Sequence, residues 1–355
     1  MEPTAMITNA TGNLLQADAD ALVNTVNTVG VMGKGIALQF RKAYPEMFAA
    51  YAKACKAGEV RLGQMHVWET GALNGPRFII NFPTKGHWRS GSKISDIDAG
   101  LSDLTKVITD RGITSIALPP LGCGNGGLDW SEVEPRILAA LTVVPGLDVR
   151  IYAPGSTPGA ASMTNTTKAP NMTVGRAALV TVLGRYSQVA LGATPLEVQK
   201  LMYFLQVIGE PLQLKYAKNR YGPYADNLRH VLNTVEGHYL TGFGDGSSRV
   251  LEAEPIRTLP GAAEAANRVL VDHPDTAARV EEVQQIVDGF ESMYGMELLA
   301  TVHWVTTENR DAAKDWHSAV KHVHRWTPRK KRMFTEDHIR VAFFALDRHG
   351  LLPAD

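Results

Sequence analysis

The sequence predicts an α/β sandwich around a mostly parallel or mixed sheet, followed by a second, mainly helical domain. Three observations carry this. Up to Ala153, short apolar runs alternate with segments of helical period, the signature of β–α units. The stretch 154–173, PGSTPGAASMTNTTKAPNMT, is rich in Pro, Gly, Ser, Thr and Asn and has little to bury, the composition of a flexible linker. Beyond it helical patterning dominates. A length of 355 residues is long for one core, so two domains are expected, 1–155 and 174–355, joined by the linker 156–173.

Taken in order, Ala21 to Val26 reads as a buried strand and Gly35 to Tyr44 as a helix stopped by Pro45. A second helical stretch runs to about Ala57 and meets Gly58, a C-terminal cap. Met65 to Trp68 and Arg77 to Phe82 read as strands. Ile97, Leu101, Leu104 and Ile108 recur at helical spacing, with Asp96 placed to cap the start and Gly112 the end. Ser115 to Leu118 is the next strand. Ser131 and Glu134 have capping-box spacing at the head of another helix, and Val149 to Ala153 is a final strand.

Hydrophobic residues at 45% and charged residues at 20% describe an ordinary soluble globular chain. Lys plus Arg and Asp plus Glu number 36 each, and that neutral balance argues against a general nucleic-acid coat protein. It leaves room for a pocket that takes a single nucleotide. Two cysteines, Cys55 and Cys123, cannot form a disulfide framework or a four-cysteine zinc site, so no metal site is expected and a reducing cytoplasm is the simplest compartment. Met1 to Leu15 lacks the basic and apolar segments of a signal peptide. No uncharged apolar run approaches the roughly 20 residues of a membrane helix, so no membrane association is expected.

Two glycine-rich loops follow strands of this reading: Asn24-Thr-Val-Asn27-Thr-Val-Gly30-Val-Met-Gly33-Lys34-Gly35-Ile36 and Pro120-Leu-Gly122-Cys123-Gly124-Asn125-Gly126-Gly127. Ligands bind at the carboxyl ends of strands in such folds, and glycine lets backbone N–H groups converge on phosphate oxygens. Two such loops suit a diphosphate better than one. The first lacks P-loop spacing. The second contains a GxGxxG match, which is weak alone and equally the mark of tight turns. Cys123 reads as a small filler, since no histidine lies near it in sequence to activate it. Lys34 serves equally to neutralise phosphate or to face solvent.

Gly12-Asn13-Leu-Leu, Asp20-Ala-Leu-Val-Asn24-Thr-Val-Asn27, the Gly33 loop and Pro120-Leu-Gly-Cys-Gly, in this order, closely resemble the macrodomain family over about Met6 to Pro154. The resemblance implies a three-layer α/β/α sandwich with a mixed sheet that binds ADP-ribose between these loops. It places Asn13 and Asn24 among the binding residues and Asn27 near the distal ribose. Gly33, Lys34, Gly35 and Ile36 would then face Gly122 through Gly127 across the diphosphate. Many macrodomains carry Asp where this chain has Asn13, so the adenine contact is expected to differ.

The segment Asn81-Phe-Pro-Thr-Lys85-Gly-His87-Trp88-Arg89-Ser-Gly-Ser resembles the DarG antitoxins, DNA ADP-ribosyl glycohydrolases paired with a toxin that ADP-ribosylates thymidine, and the related terminal-ADP-ribose glycohydrolases. That resemblance makes Lys85 catalytic. The chemistry is sensible: a neutral amine can attack the ribose C1″ or trap the opened aldehyde, given a lowered pKa. The terminal-ADP-ribose glycohydrolases add an acid in the second glycine loop, where this chain has Gly126; the nearest acid, Asp129, is placed to cap a helix. His87, Trp88 and Arg89 offer the stacking and guanidinium that a flipped base and its phosphate need, and equally fit a packed loop. No metal or redox cofactor is implied.

In the second domain, Pro195-Leu-Glu-Val-Gln-Lys200-Leu-Met-Tyr-Phe204-Leu-Gln and Lys215-Tyr-Ala-Lys-Asn-Arg220-Tyr221-Gly-Pro-Tyr224 resemble the C-terminal region of DarG antitoxins and, more distantly, Panacea-type antitoxin domains. This implies a grip on a cognate DNA ADP-ribosyltransferase toxin, by imitation of its DNA substrate. An acidic stretch, Asp272, Asp275, Glu281, Glu282, Asp288, Glu291 and Glu297, is a candidate for that surface and equally a solvated helix face. The basic stretch Lys321, Arg325 and Arg329 to Arg332 either touches DNA or pairs with the acidic one. Three functional readings follow: a glycohydrolase antitoxin, a non-catalytic ADP-ribose reader, and a toxin-neutralising interaction module.

Overall fold

The structure is a computed structural model that describes residues 4–72, 74–155, 158–190 and 192–353. The chain divides into two compact units, Met1–Lys168 with Asp245–Ser247, and Ala169–Gly244 with Ser248–Asp355. The division between Lys168 and Ala169 falls inside the stretch expected to be a linker. Ser156 and Thr157 lie outside the described residues. The part that follows is held to the first unit: Asn13 donates its side-chain amide to Ser162 O at 3.0 Å, and Thr166 N–H donates to Lys42 O at 3.0 Å.

The first unit is a six-stranded sheet, β1 (Met6–Ala10), β2 (Ala21–Asn27), β3 (His66–Glu69), β4 (Phe78–Lys85), β5 (Ser115–Leu118) and β6 (Asp148–Tyr152). The order is β1-β6-β5-β2-β4-β3, parallel throughout except β3, which runs antiparallel to β4. Residues of β2 alternate between two cores, as the strand period demands. Ala21 and Val23 pack with α3 (Ile94–Asp110) and α4 (Trp130–Leu141) on one face. Leu22 and Val26 pack with α1 (Gly35–Ala43) and α2 (Pro45–Lys56) on the other. The result is the expected three-layer α/β/α arrangement with a mixed sheet. Gly100 lets α3 lie close on the sheet, because a Cβ there would sit 2.3 Å from the Phe82 ring.

Several local expectations change. Pro45 does not merely stop α1; it occupies the first turn of α2, where its missing N–H has no helical partner to lose. Asp96 lies inside the first turn of α3 and Lys93 stands at the N-cap. Asp129 caps α4 as expected, accepting from Ser131 N–H at 2.9 Å, whereas Ser131 lies inside the first turn and is not the cap. Strand β1 has no counterpart in the sequence reading, since MITNA shows no apolar alternation and is largely exposed at the sheet edge.

The second unit is mainly helical, as expected. Its helices are α5 (Val174–Val189), α6 (Pro195–Val207), α7 (Asp226–Val235), α8 (Ala262–Leu270), α9 (Pro274–Val287), α10 (Met293–Glu308), α11 (Arg310–Lys314), α12 (Trp316–Trp326), α13 (Pro328–Met333) and α14 (Glu336–Arg348). A hairpin of β7 (Tyr216–Asn219) and β8 (Gly222–Ala225) and a short pair, β9 (Leu240–Thr241) and β10 (Arg257–Thr258), complete it. Helices α6 and α10 are buried nearly all round, so they form the centre on which the others pack. Thr194 and Glu197 form a capping box at the head of α6. Among the described residues, no helix is long and apolar enough to cross a membrane.

Candidate active site

Strands β2, β4 and β5 lie side by side in parallel, so the loops at their carboxyl ends emerge together. Hydrogen bonds knit these loops. Thr28 donates its N–H to Lys85 O at 3.2 Å and its hydroxyl to Gly86 O at 2.8 Å. Ser92 N–H donates to Gly126 O at 2.9 Å. A Cβ on Gly35 would come within 3.2 Å of the Asn125 side-chain nitrogen, so the two glycine loops approach across the cleft.

Lys85 is the last residue of β4, three residues beyond the expected strand end at Phe82. Its backbone is fixed by the sheet while its half-buried amine reaches the second glycine loop, donating to Asn125 O at 2.9 Å. Burial lowers its pKa from the ordinary lysine value. The direction enlarges the neutral, nucleophilic fraction.

Gly126 is glycine for a steric reason. A Cβ there would lie 2.3 Å from both Gly122 O and Ser92 Oγ, closer than any packed contact allows. A side chain, acidic or otherwise, therefore has no room at residue 126 as the loop stands. Asp129 accepts from Ser131 instead, and that bond holds its carboxyl below the usual range. Cys123 is half-buried, and burial pushes its thiol up to about 11, so it stays protonated at neutral pH.

Asn27 is buried and its side chain shapes the first loop: Oδ1 accepts from Val29 N–H at 3.0 Å, and Nδ2 donates to Val31 O at 2.6 Å. Gly35 N–H donates to Asp245 O, at 3.1 Å, and Gln39 donates to the Asp245 carboxylate at 2.6 Å. Gly33, Lys34 and Ile36 are half-buried around that turn. Gly122 is buried, and Gly124 and Gly127 are exposed. Asn13 caps the turn Leu14–Gln16, accepting from Leu15 N–H at 3.0 Å. His87, Trp88 and Arg89 are exposed; the Arg89 guanidinium lies 4.4 Å above the Trp88 ring, and the His87 ring is 5.1 Å away.

The sequence reading missed several residues that support this cleft. Ser92 ties the lysine loop to the glycine loop. Tyr51 hydroxyl donates to Asn27 O from a fully buried ring. Asn81 accepts from Asn24 Nδ2 at 2.9 Å and itself bonds His66 Nδ1 at 3.1 Å. Asn24 and Asn81 are register partners that each interrupt an apolar strand, and that shared interruption was readable. The Asn24 Oδ1 is buried with no hydrogen-bond partner among the described residues.

Residues 23–137 match the Macro domain family model. A DNA ADP-ribosyl glycohydrolase of Mycobacterium tuberculosis is 47% identical over 97% of this chain and 99% of its own length. The chain belongs to the DNA ADP-ribosyl glycohydrolase family. Its first unit is likewise similar to the macrodomain of Mycobacterium tuberculosis DarG, at 62% identity over 42% of this chain and 99% of that one, with a TM-score of 0.42. A DNA ADP-ribosyl transferase-DNA ADP-ribosyl glycohydrolase fusion protein of Thermosipho africanus is 34% identical over 40% of each chain. Among glycohydrolases, then, this one is a macrodomain with a lysine at the cleft and no space for an acid at residue 126.

The second unit revises the acidic surface. Glu297 is buried at 1% exposure and is held by Arg329 at 2.6 Å and Lys330 Nζ at 2.7 Å. It cannot offer its charge to a partner. Glu281 pairs with Arg185. Asp272, Asp275, Glu282 and Asp288 remain exposed. Of the two alternatives for the basic stretch, pairing with an acid holds for Arg329 and Lys330.

Proposed function

We propose that this protein hydrolyses the N-glycosidic link between ADP-ribose and thymidine in single-stranded DNA, with Lys85 as the catalytic amine. The observation that carries the reading is the Lys85 amine, lowered in pKa and 2.9 Å from the second glycine loop, in a cleft with no room for an acid at Gly126. Gly33, Lys34, Gly35 and Ile36 on one side and Gly122 to Gly127 on the other hold the diphosphate. Asn13 and Asn24 complete the ADP-ribose site, and Asn27 holds the loop against the distal ribose. His87, Trp88 and Arg89 receive the DNA. As the bond from C1″ to the base nitrogen breaks, the neutral amine forms a bond to C1″. The departing base takes up the proton the amine loses, and water then releases ADP-ribose and restores the amine.

The name of the Mycobacterium tuberculosis relative supports the substrate class, and the fused transferase of the Thermosipho relative supports a paired toxin that writes the mark. The second unit then binds that transferase, with Asp272, Asp275, Glu282 and Asp288 standing in for DNA phosphates. An intracellular, cytoplasmic toxin–antitoxin pair is the setting this implies.

The test is release of ADP-ribose from a thymidine-ADP-ribosylated single-stranded oligonucleotide. Lys85→Ala should lose at least about a hundredfold in rate while ADP-ribose binding stays within a few-fold. No release by a folded, ADP-ribose-binding wild type leaves a reader. For the toxin contact, reversing Asp272, Asp275 and Glu282 together should weaken transferase capture at least tenfold at low salt; unchanged affinity sinks the mimicry.

A further inference from the structure

The chain is neutral overall, yet two segments about a hundred residues apart contain no acid at all. Residues 211–225 carry Lys215, Lys218 and Arg220, and residues 316–335 carry Lys321, Arg325 and the run Arg329 to Arg332. The second unit brings them together. Trp326 Nε1 donates to Asn219 O at 3.0 Å, at the tip of the β7–β8 hairpin. Lys218 Nζ lies 4.7 Å above the Trp326 ring, and the Arg329 and Arg220 guanidiniums lie 4.8 and 5.4 Å from the Tyr221 ring.

The hairpin stands on a charged pedestal. Gly222, at φ +89°, sits where a Cβ would lie 3.1 Å from Thr301 Oγ1, and the buried Lys200 donates to Pro223 O. Glu297 inside the pedestal pairs with both Arg329 and Lys330, and Lys330 also donates to Thr301 at 2.9 Å. The outer cations are different. Among the described residues, no ion pair joins Lys218, Arg220, Arg325, Lys331 or Arg332 to a carboxylate, and all five are exposed.

We propose that this face holds the sugar–phosphate backbone of single-stranded DNA, a second grip on the nucleic acid by the same chain. Cations without a carboxylate partner attract phosphates, and the half-buried Tyr221 ring with the exposed Arg220 guanidinium beside it at the hairpin tip offers a plane for an unpaired base. The proposal rests on the reading that the substrate is DNA.

The experiment measures binding of the full chain to a fluorescently labelled, unmodified single-stranded oligonucleotide by anisotropy across a salt series. Arg220→Ser, Lys331→Ser and Arg332→Ser are combined in one variant. A charge-matched control changes Lys53, Lys56 and Lys106, exposed on helices of the first unit, to Ser. The face variant should bind at least tenfold more weakly at low salt. Its log–log salt slope should shrink by about 2, since three phosphates would go unneutralised at about 0.7 each. Its affinity for free ADP-ribose should match wild type and the control. Unchanged DNA affinity, or an equal fall in the control, overturns the proposal. So does loss of transferase capture with DNA binding intact, which would make the face a protein contact. If wild type still releases ADP-ribose from modified DNA in any of these cases, the glycohydrolase reading stands and only the second grip is lost.

Discussion

Each half of this chain holds a lysine pulled below its ordinary pKa by burial, and the two stand in different surroundings. In the first unit Lys85 is half-buried at a strand end and donates to a backbone carbonyl. In the second, Lys330 is fully buried, bonded to Glu297 and Thr301 and packed against the Trp326 and Phe334 rings, with its pKa lowered to about 8. Lys200 beside it is lowered further, to about 7. The deeper shifts belong to the packed interior. A perturbed pKa therefore points to chemistry only where the group also faces space that a substrate can enter. The Lys330 amine is instead committed to partners within the fold.

That contrast can be broken at its strongest point first. Glu297→Ala removes the carboxylate from two cations and strands the buried Lys330. It should cost about 3–5 kcal/mol in unfolding of the second unit, measured by denaturant melts of the full chain. Glycohydrolase turnover by molecules that remain folded should be unchanged. A matching loss of turnover would show that the pedestal serves the reaction and is not confined to the fold.

A pH series sharpens the comparison with a smaller effect. His303 is buried, bonded to the Tyr203 hydroxyl at 2.7 Å, and burial lowers its pKa from 6.5 to about 4. Between those values the unfolded chain binds a proton that the folded chain refuses. Stability should thus fall by up to about 3 kcal/mol as pH drops from 6.5 to 4, and His303→Gln should flatten that limb. Lys200 acts in the same sense at higher pH: the unfolded lysine keeps its proton up to about 10.5, so stability should climb from about pH 7 toward that value. Lys85 is only half-buried and should add little to either limb.

Much of the first unit was legible because its strands are apolar and its loops announce themselves with glycine. The two loops and Lys85 do meet, and the order of motifs along the chain was enough to place them on one edge of the sheet. Edge strand β1 was not legible, since a strand that buries little shows no apolar alternation. Nor was the reach of β4 to Lys85, because Pro83 interrupts the pattern of a strand that nonetheless continues. Ser92 was missed because a lone serine in a loop carries no periodic signal; only the fold reveals that it abuts Gly126. In the second unit the helical class was readable, but Glu297 and Lys330 look like surface charges in one dimension. Charge says where a residue prefers to be, while a buried partner decides where it can be.

The crowding at residue 126 also bears on how such enzymes change over time. An aspartate there would collide with Ser92 and with the Gly122 carbonyl, so a single substitution at this position does not place a carboxylate beside Lys85 without a shift of its neighbours. The serine hydroxyl has to shrink and the glycine turn has to relax before the carboxylate can arrive. Any side chain at residue 126 therefore comes only after the contact with Ser92 and the Gly122 turn has been relieved, so this position is coupled to its neighbours rather than free to vary alone.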